Sequence, residues 1–246
     1  MTTHGADGSP RRGADESVSY DDFVSSTPQI RSVSELAPFA VSWLDEYCSL
    51  GSRYAWPSYD LDLNPRELLP TDLLSPGLLS YPIKGKYLER MLVSGEKPGP
   101  YERLFRAMNL VVEQSEYGRD KFEDVPSDML WEVNDSTWGL VVTAAQAARF
   151  RDEGRSSNLT IVAVSKILHR KRPHLIPLID RRVRSFYGAM KSSDQELLER
   201  LHSDYCTNLN ELKTLAEGRH VANGHEMTPL RALDIVIWME VEKLAA

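Results

Sequence analysis

The 246-residue chain has only two cysteines, Cys48 and Cys206, far apart and outside any C-x-x-C or histidine-rich pattern. That scarcity excludes a disulfide framework and a cysteine-built zinc site, and it points to a reducing cytoplasm. No apolar run reaches the ~18 residues of a membrane span, and no charged-then-apolar leader is present, so neither a membrane nor secretion is expected. G-x-S-x-G, Walker A, G-x-G-x-x-G and H-E-x-x-H motifs are missing too, which leaves hydrolase, nucleotide-triphosphate and dehydrogenase readings without support. His220 and His225 share a loop without a matching set of acids or cysteines, so no metal and no cofactor is expected. Sustained strand-like alternation and internal repeats are also lacking. The fold class is therefore all-α.

What the chain does have is helical periodicity. Residues 1–30, rich in glycine, serine and mixed charge, cannot repay the entropy of ordering and are expected to be a disordered tail. Residues 31–246 are expected to form a single domain of about eight to eleven helices. Ser34 is placed to cap a helix carrying Leu36, Phe39, Ala40, Trp43, Leu44 and Tyr47. Short helices are expected to start at Asn64, Thr71 and Ser75. Firmer stripes follow: Tyr101, Leu104, Phe105, Met108, Val111 and Val112, then a small-residue helix after Ser136 that ends near Gly154. Ser193 and Glu196 have capping-box spacing. A loop with a turn at Asn223-Gly224 precedes a last helix opened by Thr228 and Pro229.

Charge is unevenly distributed. The net charge is -7, yet Arg149 to Lys191 holds eleven Lys or Arg against three acids, +8, which leaves the remainder at -15. Two readings stand. Either a basic face meets an anionic partner, DNA or another phosphate-bearing ligand, or these arginines pair with the surplus acids inside the fold.

The densest part of that segment, residues 158–184, reads as helix, basic proline-bounded elbow, second helix. Asn158 is placed as N-cap of a helix to about Arg170, Pro173 stops it, and Asp180 stands where the next N-cap belongs. An acid at a helix start is thus set among Lys166, Arg170, Lys171, Arg172, Arg181, Arg182 and Arg184, the expected phosphate-binding residues. His169 and His174 flank the elbow, as phosphate contacts, proton carriers or partners of backbone carbonyls. An irregular aromatic passage with Tyr54, Trp56 and Tyr59 is a candidate ring-stacking pocket, or else a lid over the core. Asp60, Asp62 and Asp72 are candidate acids or solvated loop residues.

Ser165-Lys166-Ile167-Leu168-His169-Arg170-Lys171-Arg172-Pro173, followed by Leu175-Ile176-Pro177 and Asp180, resembles the core of a bacterial family of unknown function. More distantly, over roughly forty residues, it is similar to the helix-hairpin-helix DNA glycosylases. That resemblance implies a catalytic role for Asp180, as the carboxylate that stabilises the cationic sugar while a base departs. Two departures stand beside it: Arg155 to Ile161 has no glycine for a phosphate-gripping hairpin, and the nucleophilic lysine of the bifunctional enzymes has no counterpart, Lys166 lying about one turn too late. The expected functions are monofunctional base excision, a non-catalytic nucleic-acid-binding module, or a small-molecule enzyme holding a phosphorylated ligand at the start of the second helix.

Overall fold

A computed structural model describes residues 32–49, 56–60, 64–93, 99–149, 151–152, 155–156, 160–221 and 224–244. The expected tail and the residues Tyr54, Asp62, Asn158 and Asn223 lie outside these stretches.

Among the described residues the α-helices are α1 (Val33–Cys48), α2 (Trp56–Asp60), α3 (Ser75–Leu78), α4 (Gly85–Leu92), α5 (Pro100–Gln114), α6 (Thr137–Ala147), α7 (Ile161–Lys171), α8 (Arg181–Phe186), α9 (Asp194–Thr207), α10 (Leu209–Ala216) and α11 (Pro229–Leu244). Short 3-10 turns occupy Pro70–Leu74, Phe122–Asp124 and Ser127–Met129. Arg151–Asp152 and Arg155–Ser156 form one short antiparallel rung, β1 and β2. The all-α class holds, because that rung is two residues long.

Local sequence explains most of these elements. Ser193 accepts from the Glu196 amide and Glu196 reaches back to the Ser193 amide, so α9 begins on a complete capping box. Ser136 caps α6 by accepting from the Gly139 amide, and a side chain at Gly139 would collide with Asn134. The expected start at Asn64 is an exception: its side chain accepts from the Arg66 amide in a local turn, and the next helical residues begin only at Pro70. Ser32, rather than Ser34, precedes α1. The small-residue helix stops at Ala147, short of the expected end near Gly154.

The helices form two groups. In one, α5 packs between α4 and α6; in the other, α11 is flanked by α1, α8 and α10. A continuous core joins them through Leu36, Trp43, Leu104, Met108, Val142, Ile167, Leu168, Leu198 and Leu233, which makes this one domain. Each fully buried side chain of that size contributes about 2 kcal/mol. Because α7 contacts α3, α5 and α6 whereas α8 contacts α11, the elbow at residues 172–180 crosses from one group to the other.

Candidate functional site

The elbow itself is built as expected. Helix α7 ends at Lys171, the chain runs through Pro173 to Ile179 without strand pairing, and α8 starts after Asp180. Asp180 is its N-cap: Oδ1 accepts from the Arg182 amide at 2.8 Å and the Val183 amide at 3.1 Å. Ser165 fixes the preceding residue, accepting from the Ile179 amide at 3.1 Å. At the other end of α7, Thr160 rather than Asn158 is the N-cap position.

The elbow cations point inward. Arg170 donates to the Tyr59 carbonyl and pairs with Asp72, both at 2.8 Å. Lys171, whose side chain is 0% exposed, reaches Asp72 at 2.8 Å and the Asn64 carbonyl at 2.6 Å. Arg172 donates to the carbonyls of Pro65, Lys171, Val112 and Ser115 and to the Ser115 hydroxyl, so it satisfies the open end of α5 and ties it to α7. A buried ammonium or guanidinium without such partners would be prohibitively costly. Arg170, Lys171 and Arg172 are therefore internal ties rather than the phosphate-binding face expected of them. At the start of α8, Arg182 pairs with Glu242 at 2.7 Å and lies over the Trp238 ring, Arg184 pairs with Asp194, and Arg181 is exposed.

The aromatic passage is not an open pocket at Tyr59. That ring is buried, its hydroxyl donates to the Lys166 carbonyl, and it stacks on His169. The side chain of Trp56 lies outside the description. His169 is buried and takes the carbonyl-satisfying role: Nδ1 faces the Ile176 carbonyl at 2.6 Å, so it carries the proton and leaves Nε2 bare. Burial, reinforced by the positive charge of Arg231, pushes its pKa down to about 3. His174 meets the edge of the Tyr117 ring, and burial pulls its pKa down as well.

A second charged group lies at the middle of α7. Lys166 Nζ donates to the Leu79 carbonyl at 2.8 Å and lies 3.6 Å from Asp180 Oδ2, beneath the Tyr81 ring. The side chains are 4% exposed for Lys166 and 18% for Asp180, so the pair is largely covered, the carboxylate less so than the ammonium. Burial lowers the Lys166 pKa, while Asp180 and Asp234 pull it back up. Behind this pair stands Arg231, on α11, which contacts Asp234 and Asp60 and lies between the Tyr47 and Tyr59 rings. Tyr47 also donates to Asp60. Burial raises the Asp234 pKa to about 6, Arg231 opposes the rise, and Asp180 adds to it.

Sequence reasoning gave Arg231, Asp234 and Tyr81 no role in a site. A signal was present: Arg231 and Asp234 are the only charged residues in the otherwise apolar run Leu230–Trp238. Among the described residues no group of three or more metal-ligating side chains forms, and no helix is long and apolar enough to cross a membrane.

A family profile described as a family of unknown function (DUF6308) matches residues 40–241. The chain belongs to this family. The DUF6308 match spans the elbow, Asp180 and most of α11, and its description carries no activity. No curated protein and no solved structure matches the chain.

Proposed function

We propose that this DUF6308 protein acts on nucleic acid at an N-glycosidic bond, with Asp180 as the carboxylate that stabilises the cationic sugar. The observation that carries this reading is the geometry of Asp180: one oxygen is fixed by two backbone amides, and the other lies 3.6 Å from the Lys166 ammonium in a side chain that stays 18% exposed. A carboxylate held in place before the reaction stabilises developing positive charge without reorganisation. Phosphate contacts fall to Arg181, exposed at the start of α8, and to Arg182 in exchange for its half-exposed pair with Glu242.

A second reading, a binding module without chemistry, is favoured by one feature. The Lys166 ammonium 3.6 Å from Asp180 offsets part of the charge that such a stabiliser needs. The phosphorylated-ligand reading has less support, because the Arg182 and Val183 amides at the start of α8 are already taken by Asp180.

The test is a screen of duplexes carrying damaged or modified bases for abasic sites, run beside binding measured against salt. Base excision predicts abasic sites from the wild-type protein and a loss of about a hundredfold in Asp180→Asn. Salt-sensitive binding without abasic sites supports the binding module. No binding at low salt overturns both.

A further inference from the structure

Two lysines of α7 meet a carboxylate, and they meet it differently. Lys171 reaches Asp72 at 2.8 Å and a carbonyl at 2.6 Å. Lys166 donates to the Leu79 carbonyl at 2.8 Å but stays 3.6 Å from Asp180 Oδ2, beyond hydrogen-bonding distance. The carbonyl that holds it is fixed in the turn after α3. There the Tyr81 amide donates to the Pro76 carbonyl at 2.9 Å and the Ser80 amide to the Gly77 carbonyl at 3.1 Å, the paired bonds of a Schellman turn. Such a turn needs a left-handed residue, and Ser80 supplies it at a φ of 60°, where glycine is the unstrained choice. Tyr81 follows, its ring centre 5.9 Å from the Lys166 ammonium and its hydroxyl 3.0 Å from that of Thr160. Thr160 occupies the N-cap position of α7, yet its side chain makes no cap bond. A serine in a glycine position and a threonine turned from its own helix are both local costs, and both seat one turn against Lys166.

We propose that the turn Leu79–Tyr81 positions the charge of the Asp180 site: it holds the Lys166 ammonium off the Asp180 carboxylate, with the Leu79 carbonyl as the competing acceptor and Tyr81 as the side chain that fixes the turn to α7. This rests on the reading of Asp180 given above and deepens it, because a carboxylate closed onto an ammonium has little charge left for a sugar cation. A carbonyl is suited to the task. It accepts one of the three N–H bonds of a buried ammonium without carrying a counter-charge, so Lys166 is held in place while Asp180 stays incompletely paired. When the turn moves, the carbonyl leaves and the carboxylate becomes the nearest oxygen. Tyr81 is thus a positioning residue, acting on Asp180 through Lys166.

The experiment is a carbon-13 titration of the lysine ε-carbons in the full chain, with Lys166→Met and Lys166→Arg identifying the Lys166 resonance. Burial lowers the Lys166 pKa and Asp180 is the foremost group raising it, so the titration reads how close the carboxylate has come. Ser80→Pro cannot keep a positive φ, so the Leu79 carbonyl should swing away and the Lys166 pKa should rise. Ser80→Gly adopts that φ freely and should leave it at the wild-type value. Adding Asp180→Asn should lower the pKa more in the Ser80→Pro background than in wild type. An unmoved Lys166, or equal drops in the two backgrounds, overturns the proposal, since equal drops mean that the ammonium has only become more exposed. Tyr81→Phe, which cuts only the bond to Thr160, gives the same comparison with a smaller rise should Ser80→Pro fail to fold. In any duplex that loses a base, Ser80→Pro should slow release by about tenfold, less than Asp180→Asn because the charge is offset rather than removed. Release as fast as that of wild type overturns the positioning role. If no duplex loses a base, the excision reading fails, while the titration still decides whether the turn holds Lys166 off Asp180.

Discussion

The two charged clusters along α7 differ in how completely the fold uses them. At its C-terminal end, Arg170, Lys171 and Arg172 are matched by Asp72 and by carbonyls from Tyr59, Asn64, Pro65, Val112 and Ser115. In the middle, Lys166 meets one carbonyl and a carboxylate at the longer distance of 3.6 Å, beside a second acid whose proton is held up to about 6. Charges on one helix therefore have different fates. The first cluster closes carbonyls left open by helix ends and turns, which is a structural task. The second holds a partly exposed carboxylate at a longer distance from an amine whose pKa burial lowers, and an incompletely matched pair is where chemistry is to be sought.

Breaking the first cluster should have the largest effect. Arg172→Ala removes every donor on the Val112 and Ser115 carbonyls supplied by that side chain and empties a buried site, so we expect a loss of about 4 kcal/mol or more, roughly 10 °C in the thermal midpoint. A loss under about 1 kcal/mol would show that water takes over those carbonyls. Asp72→Asn is next: it leaves Arg170 and Lys171 short of a buried counter-charge and should cost about 3 kcal/mol in urea unfolding. A change within error would put the elbow cations back among exposed groups.

Proton linkage sharpens the contrast. The folded pKa of Asp234, about 6, lies above its ordinary 3.8, so its contribution is fully present at low pH and is lost as pH rises through about 6. His169 behaves oppositely: its folded pKa, about 3, lies below 6.5, so its contribution is present above 6.5 and is lost as pH falls toward 3. Between about pH 4 and about pH 6 the two slopes oppose each other, each reaching at most about 1.4 kcal/mol per pH unit. Asp234→Asn should therefore make acid destabilisation steeper than in wild type, and His169→Gln should make it shallower. Urea unfolding across that window checks both signs, and parallel profiles would contradict them. The smallest effect belongs to Arg182→Ala, whose pair with Glu242 is 37% and 47% exposed. Thermal unfolding should register less than about 1 kcal/mol.

Much of this was legible from local pattern. The stripe of α5, the capping box of α9, the opening of α11 and the N-cap role of Asp180 each depend on residues within a few positions of one another. The direction of the elbow side chains was not. Asp72 lies 98 residues before Arg170, and the carbonyls that hold Lys171 and Arg172 lie between 57 and 107 residues away, apart from that of Lys171 itself. Asp60 and Asp72, read as candidate acids or solvated loop residues, are the buried partners of those cations and of Arg231. A run of arginines looks the same whether it meets a phosphate or a helix end, because both present oxygen acceptors.

The division of α7 into a structural end and a functional middle is tested most directly by unfolding Lys171→Ala and Asp180→Asn side by side in urea. Lys171→Ala, which takes one of two cations from a buried carboxylate, should lose about 3 kcal/mol or more. Asp180→Asn keeps an N-cap oxygen for the Arg182 and Val183 amides and removes a counter-charge 3.6 Å from the Lys166 ammonium, a longer and less buried pair than those of Asp72, and should lose about 1 to 2 kcal/mol. Equal losses, or a larger one for Asp180→Asn, would make Asp180 a structural residue like its neighbours and contradict the account.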